Sequence, residues 1–145
     1  MTSEEHYQRL EKMYSRASIN DLYRPTMKVA DGHAEIIMPV NDAFFHSANA
    51  IHGSVYFKIL DDAACFAAWT KEDEFFIVTA CFTTYITRPV WEGSLRAVGK
   101  IANQSKSQFI VEAIAYDDAN RVVAQGNGIV MRGRARLSTL DHYMQ

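Results

Sequence analysis

The chain has 145 residues, of which 48% are hydrophobic, and its 15 Lys and Arg against 17 Asp and Glu give a net charge of −2. This length allows one domain with a single core, and the apolar fraction is too high for a disordered chain. The charge argues against an electrostatic nucleic-acid binder, and no apolar run approaches the ~20 residues that cross a bilayer. Cys65 and Cys81 lack metal-ligand spacing and lie in apolar segments, so both are predicted to be buried free thiols of a cytoplasmic protein.

Local patterns predict the secondary structure in chain order. Thr2-x-x-Glu5 is a capping-box pattern, and apolar residues recur behind it at helical spacing, so residues 3–17 are predicted to form an amphipathic helix. Turn residues then separate segments of strand composition, and Asp31-Gly32 is a hairpin signal. The predicted elements that follow the first helix are strands at 26–31 and 33–40, a polar loop at 41–52, a helix at 53–69, and strands at 76–88, 94–104, 107–117 and 121–132.

The predicted helix at 53–69 carries the most informative residues of the chain. It is rich in alanine and apolar on nearly all sides, which indicates burial against a sheet. Its two consecutive carboxylates, Asp61 and Asp62, are costly on a buried helix unless they are paired or take part in chemistry. The start of the helix at Gly53 presents unpaired backbone N–H groups, which can stabilise a developing negative charge. The segment therefore combines a candidate acid or base with a candidate oxyanion donor.

The order of elements predicts an α+β fold in which one curved antiparallel sheet wraps a long central helix. Residues 1–24 are predicted to be a helical segment that packs on the domain. The domain itself is expected at 25–132, and residues 133–145 are expected to be a loosely held tail.

This arrangement resembles the hotdog fold, and specific residues resemble the phenylacetate-pathway type of acyl-CoA thioesterase. His52-Gly53-Ser54 is followed nine residues later by Asp61, as in that family. The strand at 79–89, which ends in Tyr85-Ile-Thr-Arg88-Pro89, and the segment 117–126 are also similar to it. The resemblance implies hydrolysis of an acyl-CoA without a metal or a cofactor, since coenzyme A is part of the substrate. It also implies an active site across a two-fold dimer interface, in a homodimer or a dimer of dimers.

The resemblance implies roles for residues of the loop, the helix and the following strand. Asp61 is the expected general base or nucleophile, and Gly53 the expected donor to the thioester carbonyl. His46 stands where the family usually has an Asn that also donates to this carbonyl; a neutral imidazole can donate one hydrogen bond, and Asn49 could serve instead. The other catalytic candidates are Thr79, whose hydroxyl could hold the attacking water, and His52, which is interpreted mainly as orienting the loop.

Five further residues are candidates for substrate binding. Ser54 lies at the helix start, and the aromatic side chains of Phe82 and Tyr85 could line an acyl pocket. Arg88 and Lys106 are candidates for the phosphates of coenzyme A, because guanidinium and ammonium groups suit phosphate. A cluster of arginines in the last predicted strand and the tail, Arg132, Arg134 and Arg136, is an alternative phosphate site.

The sequence leaves other functions open. A hotdog dehydratase of hydroxyacyl thioesters would pair His46 with Asp61 or Asp62. A non-catalytic acyl-CoA-binding domain is also compatible with the fold, because a fold does not fix a function. Asp61 could instead be paired with a basic side chain at a subunit contact. In the thioesterase interpretation the partner is a small-molecule acyl-CoA, and neither nucleic acid nor a membrane is involved.

Overall fold

The computed structural model describes all 145 residues and has the predicted α+β hotdog architecture. Six antiparallel strands form one sheet in the order β1-β2-β4-β5-β6-β3, and the long helix α3 packs against it. The elements are α1 (Ser3–Arg16), α2 (Asn20–Tyr23), β1 (Thr26–Ala30), β2 (His33–Pro39), α3 (Gly53–Trp69), β3 (Phe75–Ile86), β4 (Ser94–Gln104), β5 (Gln108–Tyr116), β6 (Val122–Arg136) and α4 (Asp141–Met144).

The central helix lies very close to the sheet. A Cβ atom at Gly99 of β4 would stand only 2.2 Å from the carbonyl oxygen of Ala63, so a residue without a side chain is needed there. The small residues Ala63, Ala64, Ala67 and Ala68 have no exposed surface. The nearly uniform apolar character of α3 therefore reflects burial on most of its sides.

Local sequence signals place the element boundaries well. The Thr2 hydroxyl accepts a hydrogen bond from the Glu5 N–H at 3.1 Å, and the Glu5 carboxylate accepts one from the Thr2 N–H at 2.7 Å. The hairpin between β1 and β2 turns at Gly32, whose φ of +70° favours glycine. The short helix α2 was not predicted, because its four residues are too few for a periodic pattern.

The prediction of a loosely held C-terminal tail is wrong. Strand β6 continues to Arg136, and Leu137 and Tyr143 beyond it are buried. The ring of His6 in α1 lies between the Tyr143 hydroxyl and the carbonyl of Trp69, each at 2.7 Å from a ring nitrogen. These contacts fasten α4 to α1 and to the end of α3, and they link residues too distant in sequence for a local pattern to reveal.

The prediction that both cysteines are buried holds for Cys65 but is wrong for Cys81, which is exposed. The reason is the position of β3, which is an edge strand of the sheet. No helix of the structure combines the length and the apolar character that crossing a membrane requires.

Candidate active site

Asp61 on α3 and Thr79 on β3 lie in direct contact at the centre of the site. The Thr79 hydroxyl donates to Asp61 Oδ1 at 2.8 Å. The Cys65 Sγ atom, one helical turn beyond Asp61, lies 3.1 Å from Thr79 Oγ1 and 3.7 Å from Asp61 Oδ1. These contacts all use Oδ1, so Oδ2 remains free to accept a proton from a water molecule.

The surroundings of Asp61 disfavour its charge. Burial raises the pKa of the Asp61 carboxyl above its ordinary range, and the hydrogen bond from Thr79 only partly opposes this. Burial also raises the pKa of the Cys65 thiol well above its usual value, so this cysteine is not a thiolate. A partly desolvated carboxylate is a stronger base than an exposed one, which suits proton abstraction from water.

The neighbouring Asp62 has a different environment. Its Oδ2 lies 2.6 Å from the Lys58 Nζ atom and accepts a hydrogen bond from the Tyr14 hydroxyl at 2.8 Å. The side chains of Lys58 and Asp62 are only 12% and 17% exposed, and the ammonium group lies 5.5 Å from the Tyr14 ring centroid and 5.4 Å from that of Tyr23. Asp62 is thus engaged in a buried ion pair within α3, and the hydrogen bond from Tyr14 joins it to α1, whereas Asp61 keeps one oxygen open.

The N-terminus of α3 leaves one donor available. His52 is the N-cap residue, and its Nδ1 atom accepts from the Ser54 N–H at 3.1 Å and lies 2.8 Å from the Ser54 hydroxyl. The Gly53 N–H has no partner within the chain. His52 and Ser54 therefore shape the helix start, and Gly53 presents its N–H there, with the positive end of the helix dipole behind it.

His46 and Asn49 lie on the turn that precedes this helix start. The His46 Nδ1 atom accepts from the Ala48 N–H at 3.0 Å, so a neutral ring carries its proton on Nε2, where it can donate outward. Asn49 has a φ of +63°, a backbone conformation that Asn tolerates better than most residues. Both side chains are exposed, so each remains able to reach a ligand.

Gly53 and Asp61 belong to the same helix but not to the same site within one chain. Eight residues separate them, and at about 1.5 Å per residue their backbones are about 12 Å apart along the helix axis. A carbonyl held at the Gly53 N–H therefore lies beyond the reach of Asp61 in the same chain.

The structure does not bring the two predicted phosphate contacts together. Lys106 precedes β5 at the end of the sheet where Gln108 pairs with Met131, whereas Arg88 follows β3 at the opposite end. Both residues are exposed, but one phosphate group cannot contact both in a single chain. The alternative arginine cluster is largely neutralised, because Arg132 and Arg136 form ion pairs with Glu72 and Glu74.

The predicted acyl-lining aromatic residues have separate environments. The ring of Phe82 packs edge-on against Phe57 at 5.9 Å between centroids. Gly126 of β6 makes room for this ring, since a Cβ there would lie 2.5 Å from it. Tyr85 is exposed near the end of β3 and lines a shallow cleft on the outer surface of the sheet.

Sequence reasoning missed one contact of the site, that of Tyr14 with Asp62. The helical spacing of four residues already makes Cys65 a neighbour of Asp61, as the structure has it. Tyr14 gave no such signal, because it reaches Asp62 from 48 positions away.

Comparison with known proteins shows that the class is that of thioester hydrolases. The family model of the thioesterase superfamily matches residues 48–124, more than half of the chain. The chain therefore belongs to the thioesterase superfamily.

Individual relatives are distant in sequence. A Thermoplasma volcanium protein, assigned provisionally as an esterase, is 25% identical over 101 residues, which are 70% of this chain and 76% of the relative. The Escherichia coli PaaI protein from the phenylacetic acid degradation operon has a TM-score of 0.84 at 20% identity, over 94% of this chain and 99% of that one. The Haemophilus influenzae thioesterase HI1161 has a TM-score of 0.74 at 16% identity, over 90% of each chain. At these identities the two structural likenesses show a common fold.

Proposed function

We propose that this protein hydrolyses the thioester of an acyl-coenzyme A. The observation that carries the proposal is the Asp61 carboxylate, which is hydrogen-bonded to Thr79 through one oxygen and free at the other, and which faces an apolar cleft. The unpartnered Gly53 N–H at the start of α3 supplies the electrophilic contact that thioester hydrolysis needs.

The reaction is proposed to occur between two copies of the chain. Since Gly53 and Asp61 of one chain lie about 12 Å apart, a site that uses both takes Gly53 from one protomer and Asp61 from its partner. The edge strand β3 supports this assembly: its 12 residues include neither a proline nor a charged residue, the usual means of protecting an edge. Its exposed Val78, Tyr85 and Ile86 fit a symmetric homodimer, which could pair further into a tetramer.

The chemistry can follow either of two routes. In the first, Asp61 Oδ2 takes a proton from a water molecule whose oxygen attacks the thioester carbon. In the second, the Asp61 carboxylate itself attacks, and water then hydrolyses the resulting anhydride. In both routes the carbonyl oxygen gains negative charge at the Gly53 N–H, with His46 or Asn49 as a further donor. The carbon–sulfur bond breaks, and the thiolate of coenzyme A leaves and takes up a proton.

Thiol release from a panel of acyl-CoAs tests the proposed activity. The purified protein is mixed with short, long and aromatic acyl-CoAs and a thiol reagent, and we expect release of free coenzyme A from at least one of them. Tight binding of acyl-CoA without thiol release would instead support a non-catalytic binding domain. Conversion of a hydroxyacyl thioester to the enoyl thioester, again without thiol release, would support a dehydratase. Either outcome would contradict the proposal.

Removal of either member of the buried Lys58–Asp62 ion pair should shift the pH dependence of the activity, in opposite directions for the two residues. Because burial raises the pKa of Asp61, the carboxylate and the activity should be lost, as pH falls, at a higher pH than an exposed aspartate would give. The Lys58 charge lowers the pKa of Asp61 and the Asp62 charge raises it. Lys58→Met should therefore move the acid limb of kcat/KM to higher pH, and Asp62→Asn should move it to lower pH. Shifts in the same direction, or no shift in either variant, would contradict Asp61 as the titrating base.

A further inference from the structure

A cleft of about 370 Å³ opens beside Asp61 and Thr79, between α1, α3 and β3. Ten of its 15 lining residues are hydrophobic. We name it the α1 cleft, because the end of α1 and the following turn contribute Met13, Ala17 and Ile19 to it. Ile19 is 54% exposed, and an exposed apolar side chain at the entrance of a cavity is typical of a ligand site.

The occupant of the α1 cleft follows from its chemistry. The thioester carbon beside Asp61 carries two substituents, the acyl chain on one side and the sulfur of coenzyme A on the other. The arm of coenzyme A is rich in amide groups that need hydrogen-bond partners. The cleft offers few of them, because Asp62 and Lys58 satisfy each other and the buried Asn20 keeps one unpartnered oxygen. An apolar acyl group needs no such partners and gains free energy on burial. The cleft therefore suits the acyl group.

Aromatic rings seal one side of the α1 cleft. Tyr14, Phe66, Trp69 and Phe76 pack in sequence, with successive ring centroids 5.0, 4.9 and 4.8 Å apart. Tyr14 is also held through its hydroxyl by Asp62. Ring packing and this hydrogen bond hold Tyr14, Phe66 and Trp69 in place on this side of the cleft.

A second cavity adjoins the α1 cleft. This α4 cavity, of about 350 Å³, is lined by Met13, Ala17, Phe76 and the segment 139–142. Met13, Ala17 and Phe76 line both cavities and thus form a partition between them. The partition consists of the flexible side chain of Met13, the small side chain of Ala17 and the ring of Phe76. None of these side chains makes a hydrogen bond.

We infer that the partition of Met13, Ala17 and Phe76 sets the length of the acyl group that the enzyme accepts, with the α4 cavity as space for longer chains. The inference rests on the proposed thioesterase function. It makes α1 and α4 part of the substrate site, although both lie outside the segment with the catalytic candidates. Removal of side-chain volume from the partition should admit longer chains, and added volume should exclude them.

Two substitutions test the inference, one that removes side-chain volume from the partition and one that adds it. The measurement is kcat/KM over saturated acyl-CoAs from acetyl to palmitoyl for the full-length protein. In the wild type, kcat/KM should rise by roughly fourfold per methylene up to a limit and then fall. Met13→Ala should move this limit to longer chains, and Ala17→Leu should move it to shorter chains. Lys12→Ala, on the exposed side of α1, is the matched control and should leave the limit unchanged.

The outcomes separate this inference from the proposed function. If the wild type hydrolyses acyl-CoAs but both variants keep its limit, the inference is wrong and the function stands. If both variants change KM equally for every chain length, including acetyl, the cleft holds the arm of coenzyme A and the inference is again wrong. If the wild type hydrolyses none, the proposed function fails, and binding of non-hydrolysable thioether analogues of the same lengths still tests the partition. Circular dichroism and thermal unfolding verify that Ala17→Leu is folded, and Met13→Ala provides an independent result of opposite sign.

Discussion

Asp61→Asn is expected to lower kcat/KM for the best acyl-CoA substrate by about 10²- to 10⁴-fold, the usual contribution of a positioned base. Asparagine has nearly the same shape and can still accept the Thr79 hydrogen bond, but it cannot take a proton from water or attack the thioester. Thiol release under steady-state conditions measures the loss.

The folded structure should tolerate this substitution. Burial raises the pKa of Asp61 in the folded state, so folding at neutral pH works against its charge, and this cost is present once the pH exceeds the folded pKa. Removing the charge should leave the thermal midpoint at pH 7 unchanged or higher. A lower midpoint would indicate that Asp61 stabilises the fold.

Asp62→Asn is the matched control, since it changes the adjacent carboxylate in the same way. At pH values at which Asp61 is ionised, Asp62→Asn should keep most of the wild-type turnover. It should also destabilise the protein by on the order of 3 kcal/mol, because Lys58 loses its partner in a buried pair. An equal loss of turnover in both variants would mean that the roles of the two carboxylates have been misjudged.

Gly53→Pro is expected to lower kcat by about 10²- to 10³-fold, the usual effect of losing one oxyanion donor. Proline removes the N–H and adds a ring at this position, and the first position of a helix tolerates proline well. The preceding His52 already has a φ of −63° and a ψ of 148°, which suit a residue before proline. Steady-state kinetics with the same acyl-CoA measures the effect.

Gly53→Ala is the control for the added side chain. It keeps the N–H, and its Cβ would lie 3.3 Å from the flexible end of Ile86. We expect a much smaller loss of kcat than in Gly53→Pro. Similar losses in both would mean that bulk, rather than the missing N–H, accounts for the effect.

Mixed dimers extend this test to the two-protomer site. When Asp61→Asn and Gly53→Pro chains are unfolded together and refolded in equal amounts, about half of the dimers contain one chain of each kind. Each such dimer has one site with an intact Gly53 and an intact Asp61, so about a quarter of wild-type activity should return. If no activity returns although mixed dimers form, the two groups do not act across an interface.

Part of the fold was predictable because its signals are local. The capping box at Thr2 and Glu5 and the turn at Gly32 depend on residues a few positions apart. The bounds of α3 follow from the apolar run that begins at Gly53. The candidate pair Asp61 and Thr79 came from a family resemblance rather than from periodicity, since Asp61 and Asp62 both have apolar neighbours on a helix.

Other features depended on which distant elements meet. A loosely held C-terminal tail is the sequence-based expectation, but Tyr143 packs against His6 from the opposite end of the chain. Arg88 and Lys106 are both basic and exposed, yet the strand order places them at opposite ends of the sheet.

The sequence by itself determined the order of helices and strands, the burial of α3 and the presence of two carboxylates on it, because hydrophobic periodicity and capping act within a few residues. Only the tertiary structure decided the difference between these carboxylates. Lys58 pairs with Asp62 and Tyr14 from α1 donates a hydrogen bond to it, while Thr79 from β3 leaves one oxygen of Asp61 open. The physical reason is that the charge state and reactivity of a buried carboxylate depend on the groups within a few ångströms, and packing between distant segments selects those groups.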